Sequence, residues 1–182
     1  EYKIDGFRFD LSKGFTQVNS GNDVGFWSSY DVSRIKIWKH IYDQIKANHP
    51  DAYVILEHLS ENSEEKELAD YGMMFWGNMN FDFREMAKGG NKDIGWAYYG
   101  TRGWQDPNLV AYMESHDEER QMVYNMTWGN SNGSYDITNP GTALKRIGLS
   151  TLFHTIIPGP KMYWQFGELG YDYSINWPSG QD

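Results

Sequence analysis

Apolar and polar positions alternate over residues 5–10, Asp5-Gly6-Phe7-Arg8-Phe9-Asp10, with Phe7 and Phe9 on one side and Arg8 and Asp10 on the other. A period of two marks a strand. Two later runs are continuously apolar. Tyr53-Val54-Ile55-Leu56 closes on Glu57-His58, and Leu109-Val110-Ala111-Tyr112-Met113 closes on Glu114-Ser115-His116-Asp117. Such runs read as strands buried on both faces. Between the first two, Ile35, Ile37, Trp38, Ile41, Tyr42 and Ile45 recur near helical spacing. They predict a helix over 33–48, closed by Pro50. Strand, helix, strand is the unit of a parallel sheet.

The rest of the chain continues this alternation. Residues 13–30 are rich in Gly, Asn and Ser and predict a long rim loop, a feature that is usually functional. Ser63-Glu64-Glu65-Lys66 opens a second helix, with Ser63 as its cap and an end near Gly72. A strand over 73–80 and a short helix over 81–88 follow, broken by Gly89-Gly90-Asn91. Then come a strand over 109–115, a turn-rich insertion over 125–139, an amphipathic helix over 142–156, and a strand over 161–165 after Pro158-Gly159-Pro160. The expectation is an α/β chain of five strands with intervening helices. The runs that begin at residues 5, 53 and 109 each end in an acid: Asp10, Glu57 and Asp117. In a parallel barrel, catalytic residues collect at that end of the strands.

Composition narrows the chemistry. At 182 residues the chain can hold one substantial core, and residues 1–182 are expected to form a single domain. A net charge of -9 argues against nucleic acid and anionic membranes as partners, but not against a neutral sugar polymer. Aromatic residues reach 16%, which suits stacking on apolar sugar faces, although any one of them is more often core. The absence of cysteine excludes disulfide scaffolds and thiolate metal sites. No run approaches the roughly 20 apolar residues of a membrane span.

Arg8 beside Asp10 favours the ionised carboxylate that a nucleophile needs, though a purely structural ion pair fits those two residues equally well. The later acids tip the balance towards function. Together the segments resemble the α-amylase family of glycoside hydrolases, family 13. Asp-Gly-Phe-Arg-Phe-Asp at 5–10 matches the segment ending in the family's nucleophile, and Glu57 sits where its general acid/base ends the next strand. Ser115-His116-Asp117 resembles the family's Asn-His-Asp, with Ser115 in place of Asn, and 159–168 resembles its last barrel strand and loop.

The resemblance implies part of a (β/α)8 TIM barrel, about strands 4 to 8, acting on α-1,4-linked glucans such as starch and maltooligosaccharides with retention. Asp10 is then the nucleophile, Glu57 the general acid/base, and Asp117 a third acid that binds sugar hydroxyls. Emergence from an apolar strand suits Glu57 to hold a proton. Arg8, Lys13 and His116 are expected to bind substrate, with Lys13 otherwise a solvated loop lysine. Trp27, Trp76, Trp104 and Trp164 are candidate stacking platforms, and Asp117-Glu118-Glu119-Arg120 reads as a solvated helix start.

Three rivals stand beside hydrolysis. A transglycosylase of the same family shares the glycosyl-enzyme intermediate. A non-catalytic barrel piece would bind carbohydrate or serve a structural role, against which all three acids are present. A divalent site built from Asp10, Glu57, His116 and Asp117 is opposed by the Arg8 cation. The chemistry requires no cofactor; structural calcium occurs in many amylases but has no support in these residues. A complete barrel needs roughly 250 residues. The chain starts inside a strand motif, ends at Gly180-Gln181-Asp182, and lacks the family's earlier Asp and Asn-His segment. It is therefore expected to be a fragment, inactive or very weak alone, whose open edges call for self-association or the N-terminal half of the barrel. A polysaccharide hydrolase of this kind would act outside the cell or at its surface.

Overall fold

The computed structural model describes residues 3–178; Gly180-Gln181-Asp182 lie outside them. In chain order the elements are β1 (Gly6–Phe9), α1 (Val24–Trp27), α2 (Val32–Asn48), β2 (Tyr53–Leu56), α3 (Asn62–Tyr71), β3 (Met74–Asn78) and α4 (Asn80–Ala87). They continue with β4 (Leu109–Tyr112), α5 (Gln121–Trp128), β5 (Ser131–Asn132), β6 (Tyr135–Asp136), α6 (Pro140–Ile156) and β7 (Lys161–Met162). A five-stranded sheet runs in the order β1-β2-β3-β4-β7, and β5 and β6 form a separate antiparallel hairpin. The pairs β1–β2, β2–β3 and β4–β7 are parallel. The chain divides into two compact units, one up to Gly77 with Tyr99–Val110, the other Asn78–Tyr98 and the residues from Ala111 on.

In the first unit the register pairs Gly6 with Tyr53 and Phe9 with Leu56. The next step along both strands is Asp10 and Glu57. Gly6 is required because a Cβ there would overlap the Tyr53 backbone. Val54 and Leu56 of β2 are buried with Trp38 and Ile35 of α2, Leu68 and Ala69 of α3, and Phe75 of β3. Burying such a side chain contributes about 1.5–3 kcal/mol. The Asp31 carboxylate caps α2 by accepting from the Ser33 and Arg34 N–H groups. Ser63 does not cap α3, contrary to the sequence expectation. It lies inside the first turn and donates its hydroxyl to Glu61 Oε1 at 2.6 Å. Gly72, at φ 122, ends that helix.

In the second unit α4, α5 and α6 pack on one another. Met122 of α5 meets Ala143 and Ile147 of α6, with Met126 alongside. This apolar face is why α5 continues to Trp128, into a region expected to be turn-rich. Asn139 and Pro140 start α6, with Asn139 accepting from the Gly141 and Thr142 N–H groups. Strand β4 stops at Tyr112, three residues short of expectation, and the Met113 carbonyl turns to accept from Asn80 Nδ2 at 2.9 Å. No helix among the described residues is long and apolar enough to cross a membrane.

Candidate active site

The first unit carries Arg8, Asp10, Lys13 and Glu57. Arg8 sits on the face of β1 opposite the phenylalanines, where alternation places it, and its guanidinium lies 4.1 Å from the centre of the Trp76 ring. One terminal nitrogen is 2.6 Å from Asp10 Oδ1, and the other is 3.0 Å from Glu57 Oε2. The first contact is a hydrogen bond. One guanidinium touching both acids keeps their nearest oxygens inside about 10 Å, the upper end of the separations glycosidases use.

The two acids differ in exposure: the Asp10 side chain is 75% exposed and that of Glu57 13%. Glu57 is not in the apolar setting its strand suggested, because Arg8 reaches it and Leu11 N–H donates to its Oε2 at 2.9 Å. Leu11 makes that contact from the left-handed region, at φ 44. For a branched side chain this backbone costs about 1–3 kcal/mol, and such strain gathers at functional sites.

Lys13 is not a solvated loop lysine. It is buried on a single 3₁₀ turn, Ser12–Gly14, and its Nζ donates to Ser28 Oγ at 3.1 Å and the Leu59 carbonyl at 3.4 Å. Burial, reinforced by Arg34, lowers its pKa. Trp27 lies beneath its ammonium at 4.6 Å. Of the other candidate platforms, Trp104 is buried and donates its indole N–H to Asn62 Oδ1, so it belongs to the core.

A buried polar network supports these residues. Arg34 donates to the carbonyls of Lys13, Trp27 and Ser29, fastening the rim loop, and also grips Glu64. Glu64 meets His58 Nε2 at 2.7 Å, and His58 Nδ1 meets Ser12 Oγ at 2.8 Å. Burial pushes the Glu64 carboxyl up, but hydrogen bonds from His58 and Arg34 outweigh it and hold its pKa below the usual value. Burial holds His58 below the ordinary histidine value, against the pull of Glu64. None of Ser12, Arg34 or Glu64 stood out in the sequence. The one available signal was that Ser12 and His58 each lie within two residues of a candidate acid. A cleft within the loop, lined in part by Phe26, Trp27 and Tyr30, includes neither Asp10 nor Glu57.

The second unit carries Ser115, His116 and Asp117. His116 and Asp117 are exposed, with Nε2 3.3 Å from Oδ2 and the imidazole ring 5.8 Å from that of Trp164. Ser115 Oγ accepts from Asp117 N–H at 3.1 Å and also bonds Glu118. Residues 117–120 are not a solvated helix start. Glu118 also bonds Asn78 and Tyr112, Glu119 accepts from Ser174 Oγ at 2.5 Å, and Arg120 is buried with Glu114. Burial raises the pKa of Glu118. Among the described residues no group of three or more His, Cys, Asp or Glu is arranged to hold a metal ion, so none fits structural calcium.

Parallel strands separated by helices, with acids just beyond β1 and β2, define the fold as part of a (β/α)8 barrel. No protein-family model matches the chain. Over a 221-residue alignment taking in the whole chain, it is 27% identical to 1,4-alpha-glucan-branching enzyme 2-2, chloroplastic/amyloplastic, of Arabidopsis thaliana. Apo pullulanase from Klebsiella pneumoniae superposes with a TM-score of 0.62 at 16% identity, over 94% of this chain and 23% of that one. The maltotriose complex of PulA from the same organism gives 0.60 at 16% identity, over 94% and 23%. The branching-enzyme match supports the α-amylase-family resemblance carried by the motifs, and the pullulanase superpositions show a fold that fits it. The chain spans 26% of the branching enzyme.

Proposed function

We propose that the protein containing this chain is a retaining α-glycoside hydrolase acting on α-1,4-linked glucans. Asp10 would attack the anomeric carbon. Glu57 would protonate the leaving oxygen and then deprotonate water. The observation that carries the reading is the single Arg8 guanidinium reaching both carboxyls from one strand. It orients two acids whose exposures differ widely, and the more exposed one, Asp10, is open to a sugar. Asp117, as the third acid, and His116, as a sugar-hydroxyl donor, enter on their motif alone, and Lys13 as a substrate contact likewise.

Transglycosylation is the second reading, favoured by the branching-enzyme match. It uses the same covalent intermediate, and access of water or sugar decides between the two.

The test is Asp10→Asn in the full-length protein, assayed on maltooligosaccharides. Loss of a covalent nucleophile lowers kcat by about 10³-fold or more. Wild-type turnover in that variant, or products of inverted anomeric configuration, would refute the assignment. Longer rather than shorter glucan products would decide for transfer over hydrolysis.

A further inference from the structure

We propose that the buried Ser12–His58–Glu64 chain is a positioning device for the Asp10–Glu57 pair, holding together the two turns that carry the acids. The inference rests on the reading of Asp10 and Glu57 as the reacting groups.

Ser12 lies two residues beyond Asp10, and His58 lies one beyond Glu57. The Ser12–His58 bond therefore links the turn after β1 to the turn after β2, beside the acids. Ser12 N–H and Ser12 Oγ both donate to the Glu57 carbonyl, at 2.9 and 2.8 Å. Glu64 anchors the far end of the chain on α3, with its second oxygen on Asp31 N–H at 2.7 Å. Ser, His and Glu in this order have the form of a nucleophile triad. All three are 0% exposed, so no substrate reaches Ser12, and a holding role remains.

The proton count explains why such a chain senses its surroundings. Ser12 has one hydroxyl proton and two acceptors in reach, the Glu57 carbonyl and a bare His58 Nδ1. An ionised Glu64 draws the proton of neutral His58 to Nε2, which leaves Nδ1 bare. A second proton on the ring lets Nδ1 donate to Ser12 and frees the hydroxyl for Glu57. The charged groups around this ring are Glu64 from α3, Arg34 from α2 and Lys13 from the 3₁₀ turn; the Phe75 ring of β3 packs edge-on at 5.6 Å.

The experiment is Ser12→Ala and Ser12→Thr in the full-length protein, with Asp10→Asn alongside. Misplacing reacting groups through a distant contact costs up to about 10²-fold. Ser12→Ala is expected to lower kcat by roughly 10- to 100-fold with KM within about twofold of wild type, and Ser12→Thr, which keeps the hydroxyl, to recover most of it. Wild-type kcat in Ser12→Ala, or no recovery in Ser12→Thr, would overturn the positioning role while an inactive Asp10→Asn left the proposed function standing. An active Asp10→Asn would remove both. Should Ser12→Ala fail to fold, nitrogen-15 shifts of His58 in the wild type decide. Hydrogen bonding at both ring nitrogens is expected; a ring titrating like free histidine would sink the proposal.

Discussion

Arg34 meets Glu64 in the first unit and Arg120 meets Glu114 in the second, and all four side chains are buried. In the first pair Arg34 Nε lies 2.5 Å from Glu64 Oε1 and Nη2 2.8 Å from Oε2, with His58 and Asp31 N–H filling the remaining positions. In the second, a single Arg120 nitrogen lies 3.4 Å from Glu114, whose other oxygen accepts from Gln121 N–H at 2.7 Å. The outcomes are opposite. Glu64 is held below the usual carboxyl pKa despite its burial, whereas burial raises Glu114. A buried ion pair stabilises only when aligned donors replace the lost water. Arg102 and Glu65 follow the second pattern within the first unit. They lie 3.3 Å apart, and burial pushes Glu65 up to about 7. The number and alignment of donors decide, not the identity of the pair.

Removing one partner from each pair tests this contrast most strongly. Glu64→Gln leaves Arg34 buried with three carbonyl acceptors but no counter-charge, and about 3 kcal/mol of stability should be lost in chemical denaturation. A loss under about 1 kcal/mol would show that the network is not a working ion pair. Arg120→Met should cost less, about 1–2 kcal/mol, because Glu114 can take up a proton and cease to be a buried charge. Equal losses for the two variants would erase the distinction.

The pH dependences should also run in opposite directions. Glu64 is lowered on folding, so its contribution is present above the unfolded value of 4.5 and fades as pH falls through the folded one. Glu65 is raised to about 7, so its contribution is complete below 4.5 and is lost as pH rises through 7. The stability difference between wild type and Glu64→Gln should stay flat above pH 4.5 and shrink below it. That between wild type and Glu65→Gln should fall by at most about 1.4 kcal/mol per pH unit between the two values and then level off. Denaturation midpoints across pH measure both; a common slope would break the contrast.

Much of the local structure was legible in the chain. Alternation at 5–10 gave β1 with Arg8 opposite the phenylalanines, the apolar run at 53 gave β2, and the spacing of Ile35, Trp38 and Ile41 gave α2. These features depend on near neighbours, which a sequence displays directly. Expectations failed where distant partners set the outcome. Ser63 lost the cap position to an unassisted Glu61, α5 ran on because α6 offered it an apolar face, and Lys13 found acceptors 15 and 46 residues away.

The order of the acids, their places just beyond strands, and the pairing of Arg8 with Asp10 were determined by the sequence alone, because two residues apart on a strand is a fixed geometry. Arg8 reaching Glu57, the left-handed Leu11 whose N–H orients that acid, and the Ser12–His58–Glu64–Arg34 network were decided only by tertiary structure. Each of those contacts joins residues from different elements, up to 49 positions apart. Their energy comes from donors and acceptors aligned in a space without water, and no local pattern of residue types encodes that alignment.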